Sequence, residues 1–113
     1  MKTKPKRYVT PRNAGNRRLE KALYAISRGD DFEREKSMEY LISRPNKKTV
    51  EHILPLLQDK DTPTRMAAVE VIKKIGHANI AAIDRLLEDE NEDIRVYACE
   101  IMASMKNTET IPF

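Results

Sequence analysis

The chain has 113 residues, 40% of them apolar and 35% charged, with one cysteine and no tryptophan, and a formal net charge of +3. That length and composition suit a single domain with a modest core and a well-solvated exterior. They exclude a membrane-crossing helix, since no run of about 18 apolar residues occurs, and, with Cys99 alone, an internal disulfide framework.

The charge is unevenly placed. Residues 1–18 carry Lys2, Lys4, Lys6, Arg7, Arg12, Arg17 and Arg18 and no acid, so this segment is +7 and the remainder −4. No apolar segment follows the basic start, which argues against a secretory signal, and the expected setting is the reducing cytoplasm. Residues 1–15 mix Pro5, Pro11 and Gly15 with polar and basic residues and show no sustained period. They read as a flexible arm preceding a domain over 16–113.

From Leu19 the helical period begins. Leu19, Leu23 and Ile26 fall at i, i+4 and i+7, with Ala22 between them, and Gly29 stops the run. Asp30 with Glu33 forms a capping-box pattern for a second helix, whose stripe is Met38, Leu41 and Ile42, and Pro45 ends it. Val50, Ile53, Leu54 and Leu57 give a third apolar face, interrupted by Pro55, which should kink the helix. Asp61 caps a fourth, with Pro63 early, where a missing N–H costs nothing. Ala68, Val69, Ile72 and Ile75 are its expected buried stripe, and Gly76 its end. Ile80, Ile83, Leu86 and Leu87 mark a fifth helix. Asn91 caps a sixth, with Ile94, Ala98, Cys99, Ile101 and Met102 inward. The expected helices are therefore 16–28, 31–43, 48–58, 62–75, 79–88 and 92–106, and the expected fold is all-α.

The last two helix pairs repeat. Leu56-Leu57-Gln58-Asp59 lies opposite Leu86-Leu87-Glu88-Asp89, Arg65 opposite Arg95, Ala68 opposite Ala98 and Glu70 opposite Glu100, always 30 residues apart. A weaker copy lies 31 residues upstream, where Arg34, Glu39 and Leu41 match Arg65, Glu70 and Ile72. A fixed period of this size signals units that each bury a face against the next. The expected units are 16–45, 46–76 and 77–106, with 107–113 starting a further one.

Leu56-Leu57 with Asp59, followed by Arg65, Ala68, Val69, Val71 and Ile72, resembles a HEAT repeat, of the short variety also found in phycobilin lyase-like proteins. The resemblance covers 19–113 and is strongest over 50–106. It implies an α-α superhelix, a HEAT-like solenoid of about three helical hairpins. It also implies that Asp59 with Arg65, and Asp89 with Arg95, form a ladder of charge-assisted hydrogen bonds between neighbouring turns. The upstream copy departs from this pattern, with Arg28 where the aspartate belongs. Thr110-Ile111-Pro112-Phe113 aligns with Ile80-Ala81-Ala82-Ile83, so the array is expected either to continue or to end open, inviting a partner or self-association.

Catalytic groups are scarce. His52 and His77 have no Cys or Asp at metal-ligand spacing, and Cys99 falls at an inward repeat position, as a buried and inert thiol would. Glu88, Asp89, Glu90, Glu92 and Asp93 lack the central glycine of a calcium loop and suit helix capping. No enzyme, metal or cofactor is expected. The second helices of HEAT-like stacks line a concave face, so the resemblance directs attention to Glu35, Lys36, Glu39, Met66, Ala67, Glu70, Val96, Tyr97 and Glu100. Of these, Glu39, Glu70 and Glu100 form a carboxylate row beside an apolar patch of Met66, Val96 and Tyr97, as a protein-binding scaffold would present. The alternative is that Tyr97 packs on its neighbouring unit and the glutamates form a solvated face. A second functional reading places nucleic acid on the arm, through Lys4, Lys6, Arg7, Arg12, Arg17 and Arg18, with help from Lys47 and Lys48. Some HEAT-like proteins, alkylpurine glycosylases among them, act on DNA, but that is analogy of fold alone.

Overall fold

The computed structural model describes residues 14–109. Among them the chain is all-helical, without strands. Six α-helices follow in order: α1 (Ala14–Arg28), α2 (Asp31–Ile42), α3 (Lys47–Ile53), α4 (Thr62–Ile75), α5 (Ile80–Leu86) and α6 (Glu92–Glu109). Two 3-10 segments, Leu54–Gln58 and Gly76–Asn79, lie after α3 and before α5. No described helix is long and apolar enough to cross a membrane.

The helix starts follow from capping chemistry. The Asp30 carboxylate accepts from the Glu33 backbone N–H at 2.8 Å while the Asp30 N–H donates to Glu33 Oε1 at 3.1 Å, the reciprocal pair anticipated from the sequence. Asn46, Asp61 and Asn79 cap α3, α4 and α5 through their side-chain oxygens. The Asn91 side chain accepts from the Asp93 N–H at 2.8 Å beside the start of α6.

Pro55 does more than kink. Lacking an N–H, it cannot continue the α ladder, so α3 stops at Ile53 and the chain tightens into the 3-10 segment Leu54–Gln58. At the other turn, a Cβ on Gly76 would come within 2.9 Å of Ile83 Cδ1. The Ile83 side chain of α5 therefore packs directly on this glycine.

Each helix buries one stripe. Ile26 of α1, Leu41 of α2, Ile53 of α3, Ile72 and Ile75 of α4, Ile83 of α5 and Ile101 of α6 are fully or nearly fully buried. Burial of such a side chain is worth about 1.5–3 kcal/mol. α1 packs on α2; α2, α4 and α6 lie side by side in that order, and α5 packs on α6. The Asn79 amide, buried at the head of α5, also reaches back to the Lys47 carbonyl at 3.4 Å and ties α5 to the start of α3.

Ile80, the first residue of α5, is 46% exposed. Two inward or outward assignments from the sequence need correction. Ala67, expected outward, is buried. Cys99, expected inward, is exposed. The last is explained by the flanks of α4. Arg65, Val69 and Lys73 lie on one side of that helix, four residues apart. Arg65 reaches Tyr97 and Lys73 reaches Glu100, both on α6, so Val69 between them is covered. The equivalent flank of α6 carries Cys99, and no described helix lies over it.

Candidate functional site

The repeated arginines are structural. Arg65 Nη1 donates to the Asp59 carbonyl at 2.6 Å, and Arg95 Nη1 to the Asp89 carbonyl at 2.6 Å. Arg34 Nε makes the corresponding bond, to the Ile26 carbonyl at 3.1 Å. In each case a guanidinium near the start of the second helix closes on the end of the helix or turn before it, satisfying a carbonyl left over there. This corrects the expected ladder. The aspartate carboxylates do not meet the arginines: Asp59 Oδ1 accepts from the Asp61 N–H and Asp89 Oδ1 from the Asn91 N–H, both at 2.8 Å. The upstream pair can lack the aspartate because a backbone carbonyl, which any residue supplies, is the acceptor.

Of the residues singled out on the second helices, Ala67 is buried and Lys36 lies between α1 and α2, while others are exposed on α2, α4 and α6. Met66 is 45% exposed and Val96 54%, at equivalent positions on adjacent helices. Glu39, Glu70 and Glu100 are exposed beside them. The carboxylates do not form an unpaired row, however. Glu100 Oε2 lies 3.1 Å from Lys73 Nζ, and Glu39 Oε1 lies 3.9 Å from Lys36 Nζ. Tyr97 is half-buried, and its hydroxyl accepts from Arg65 Nε at 3.0 Å. It packs against the buried core, and that bond ties α6 to α4.

A second surface was missed from the sequence. α1 and α2 enclose an open groove of about 680 Å³, lined by Arg18, Lys21, Tyr24, Arg28, Phe32, Lys36 and Tyr40 with Ala22, Ala25, Gly29, Glu33 and Ser37. Tyr24 is 64% exposed and Phe32 68%, the two most exposed large apolar side chains among the described residues. Arg28 lies over the Tyr24 ring at 5.7 Å from its centroid, Lys36 over Phe32 at 5.5 Å, and Arg44 over Tyr40 at 4.8 Å, distances at which cation and ring attract. The signal in the sequence was faint, because the aromatic residues lie on two helices and share a surface only when the Gly29 turn brings these together.

Of the cations proposed for nucleic acid, Arg17 and Arg18 are exposed on α1, and Arg18 borders this groove. Lys47 and Lys48 are exposed at the start of α3. Lys4, Lys6, Arg7 and Arg12 lie outside the described residues, as do 110–113. His52 Nδ1 donates to the Lys48 carbonyl at 2.8 Å within its own helix, and His77 is exposed. Among the described residues no group of three or more His, Cys, Asp or Glu is placed to hold a metal ion. The chain matches no protein-family model, no curated protein and no solved structure.

Proposed function

We propose that this chain is a non-catalytic binding module of the cytoplasm, built as a HEAT-like superhelix of about three hairpins over units 16–45, 46–76 and 77–106. Its second-helix face receives a protein partner. The observation that carries this reading is the pairing of Met66 with Val96, two exposed apolar side chains at the same repeat position on helices that lie side by side. Exposed Glu70 follows Met66 by one helical turn, and Glu100, paired with Lys73, follows Val96 by one turn. An apolar centre with a charged rim is the usual anatomy of a protein interface. Side-by-side order of α2, α4 and α6, the 30-residue period and the recurring arginine bonds support the superhelix.

The test is affinity capture with the full chain, compared with Met66→Glu and Val96→Glu. Both positions are exposed, so the helical circular dichroism signal should be unchanged. A partner retained by the parent and lost by both variants supports the reading. A partner retained by all three removes this face from consideration.

A second reading, polyanion binding by the cationic N-terminal residues, is favoured by one observation. Arg18, the last of the seven acid-free cations, stands on the rim of the aromatic groove.

A further inference from the structure

We infer that the groove between α1 and α2 binds single-stranded nucleic acid, its bases stacking on Tyr24 and Phe32 and its phosphates held by Arg18, Lys21, Arg28 and Lys36. The inference rests on the second reading above and gives it a site and a ligand class.

The two walls follow from helix geometry. Arg18, Lys21, Ala25 and Arg28 lie on one face of α1 at i, i+3, i+7 and i+10, and Phe32, Lys36 and Tyr40 lie on one face of α2 at i, i+4 and i+8. The groove therefore brings the cations Arg18, Lys21, Arg28 and Lys36 together with the rings Tyr24, Phe32 and Tyr40.

The residues that line it are predominantly cationic. Glu33 is the one carboxylate among the lining residues, and its Oε1 is turned back to accept from the Asp30 N–H at 3.1 Å. Asp31 is paired with Arg34 at 2.9 Å, and Glu39 leans toward Lys36 at 3.9 Å. Arg17, exposed on α1, adds a further cation nearby. A polyanion is the complementary ligand.

The exposed rings select among polyanions. An acidic peptide would satisfy the cations and leave Tyr24 and Phe32 with no flat partner. Bases in a single strand offer π-faces to rings and to guanidinium groups alike, whereas a duplex hides those faces in its own stack. A second trough of about 770 Å³ adjoins the first, sharing Lys21 and Tyr24 and adding Arg17, Leu23, Ser27, Leu56 and one carboxylate, Glu20. Tyr24 is thus a ridge between two troughs, and the track is longer than one nucleotide.

The test is fluorescence anisotropy of the full chain with a labelled oligothymidylate of about 15 nucleotides, a length within the range bound by one single-strand site. Phe32→Leu and Tyr24→Leu keep apolar bulk and remove the π-face; each should weaken binding about tenfold without altering its salt dependence. Arg28→Gln or Lys21→Gln should lower the slope of log K against log salt by about 0.7 each. A blunt duplex of equal length and a polyglutamate chain should compete poorly. Parent-like affinity in both leucine variants, or equal competition by duplex or polyglutamate, overturns the groove as the site. A variant with Lys4, Lys6, Arg7 and Arg12 changed to Gln separates the two readings. If it alone loses affinity, the arm binds and the groove does not; if the parent binds no oligonucleotide, both readings fall.

Discussion

Arg65 and Tyr97 are joined across two helices: the guanidinium Nε donates to the phenol oxygen at 3.0 Å, while Nη1 of the same group meets the Asp59 carbonyl at 2.6 Å and Nη2 meets Thr62 Oγ1 at 3.0 Å. One side chain thus fixes the turn before α4 and the lateral position of α6.

Arg65→Ala is accordingly expected to destabilise the fold more than Arg95→Ala. Arg95 bonds the Asp89 and Glu90 carbonyls, both in the turn before its own helix. Hydrogen bonds to a charged group are worth about 1.5–3 kcal/mol. Urea unfolding should place Arg65→Ala in that range and Arg95→Ala below it. Tyr97→Phe should cost about 1 kcal/mol, and in a double-mutant cycle with Arg65→Ala it should show coupling of at least about 0.5 kcal/mol. Additive losses would mean that the bond contributes nothing.

The two aspartate caps should differ. Asp61 accepts both the Thr64 N–H at 3.2 Å and the Thr64 hydroxyl at 2.7 Å, and Thr64 is fully buried. Asp61→Ala strands that hydroxyl, adding about 1–3 kcal/mol to the roughly 1 kcal/mol of a lost cap. Asp30→Ala removes an exposed cap alone. Chemical denaturation should rank Asp61→Ala well below Asp30→Ala in stability.

Ile72, fully buried in α4, sits in the middle of the core. Ile72→Ala should cost about 2–5 kcal/mol through lost transfer energy and an unfilled cavity. Met66→Ala, on the exposed side of the same helix, should stay within about 0.5 kcal/mol. Thermal melts of the two variants check the assignment of faces.

Cys99 should react with a thiol-specific chromogenic reagent in the native protein at a rate close to that in denaturant, because its flank of α6 is uncovered. In Val69→Cys/Cys99→Ser the thiol moves to the equivalent but covered position, and native labelling should slow at least about tenfold, as exchange then needs local opening. Equal rates would mean that α6 does not cover α4.

Much of the fold was legible because local chemistry and period agreed. Asp30 with Glu33, Asp61 before Pro63 and Gly76 after Ile75 each mark a boundary by a mechanism confined to four or five residues, and α4 runs Thr62–Ile75, over the span expected. The errors arose where a neighbour decides the outcome. Val69 and Cys99 hold the same repeat position, yet only Val69 has a helix across from it. Tyr97 was open to two readings, contact with a partner or packing on its neighbouring unit, and the bond its hydroxyl accepts from Arg65 spans 32 positions that no local pattern connects. Each wall of the α1–α2 groove follows helical spacing, but that the two walls face each other, Tyr24 on α1 with Phe32 and Tyr40 on α2, depends on the pairing of the helices.

The arginine bonds also bear on how the chain acquires its shape. Arg65 and Arg95 each close on a carbonyl only six residues back, and Arg34 on one eight back. Loops so short cost little entropy to close, and contacts near in sequence form early. Each turn can therefore set itself before its neighbours exist. Since α2, α4 and α6 lie in space in the order in which they occur in the chain, a nascent polypeptide can be assembled in its order of synthesis, each new helical pair docking on a surface already finished.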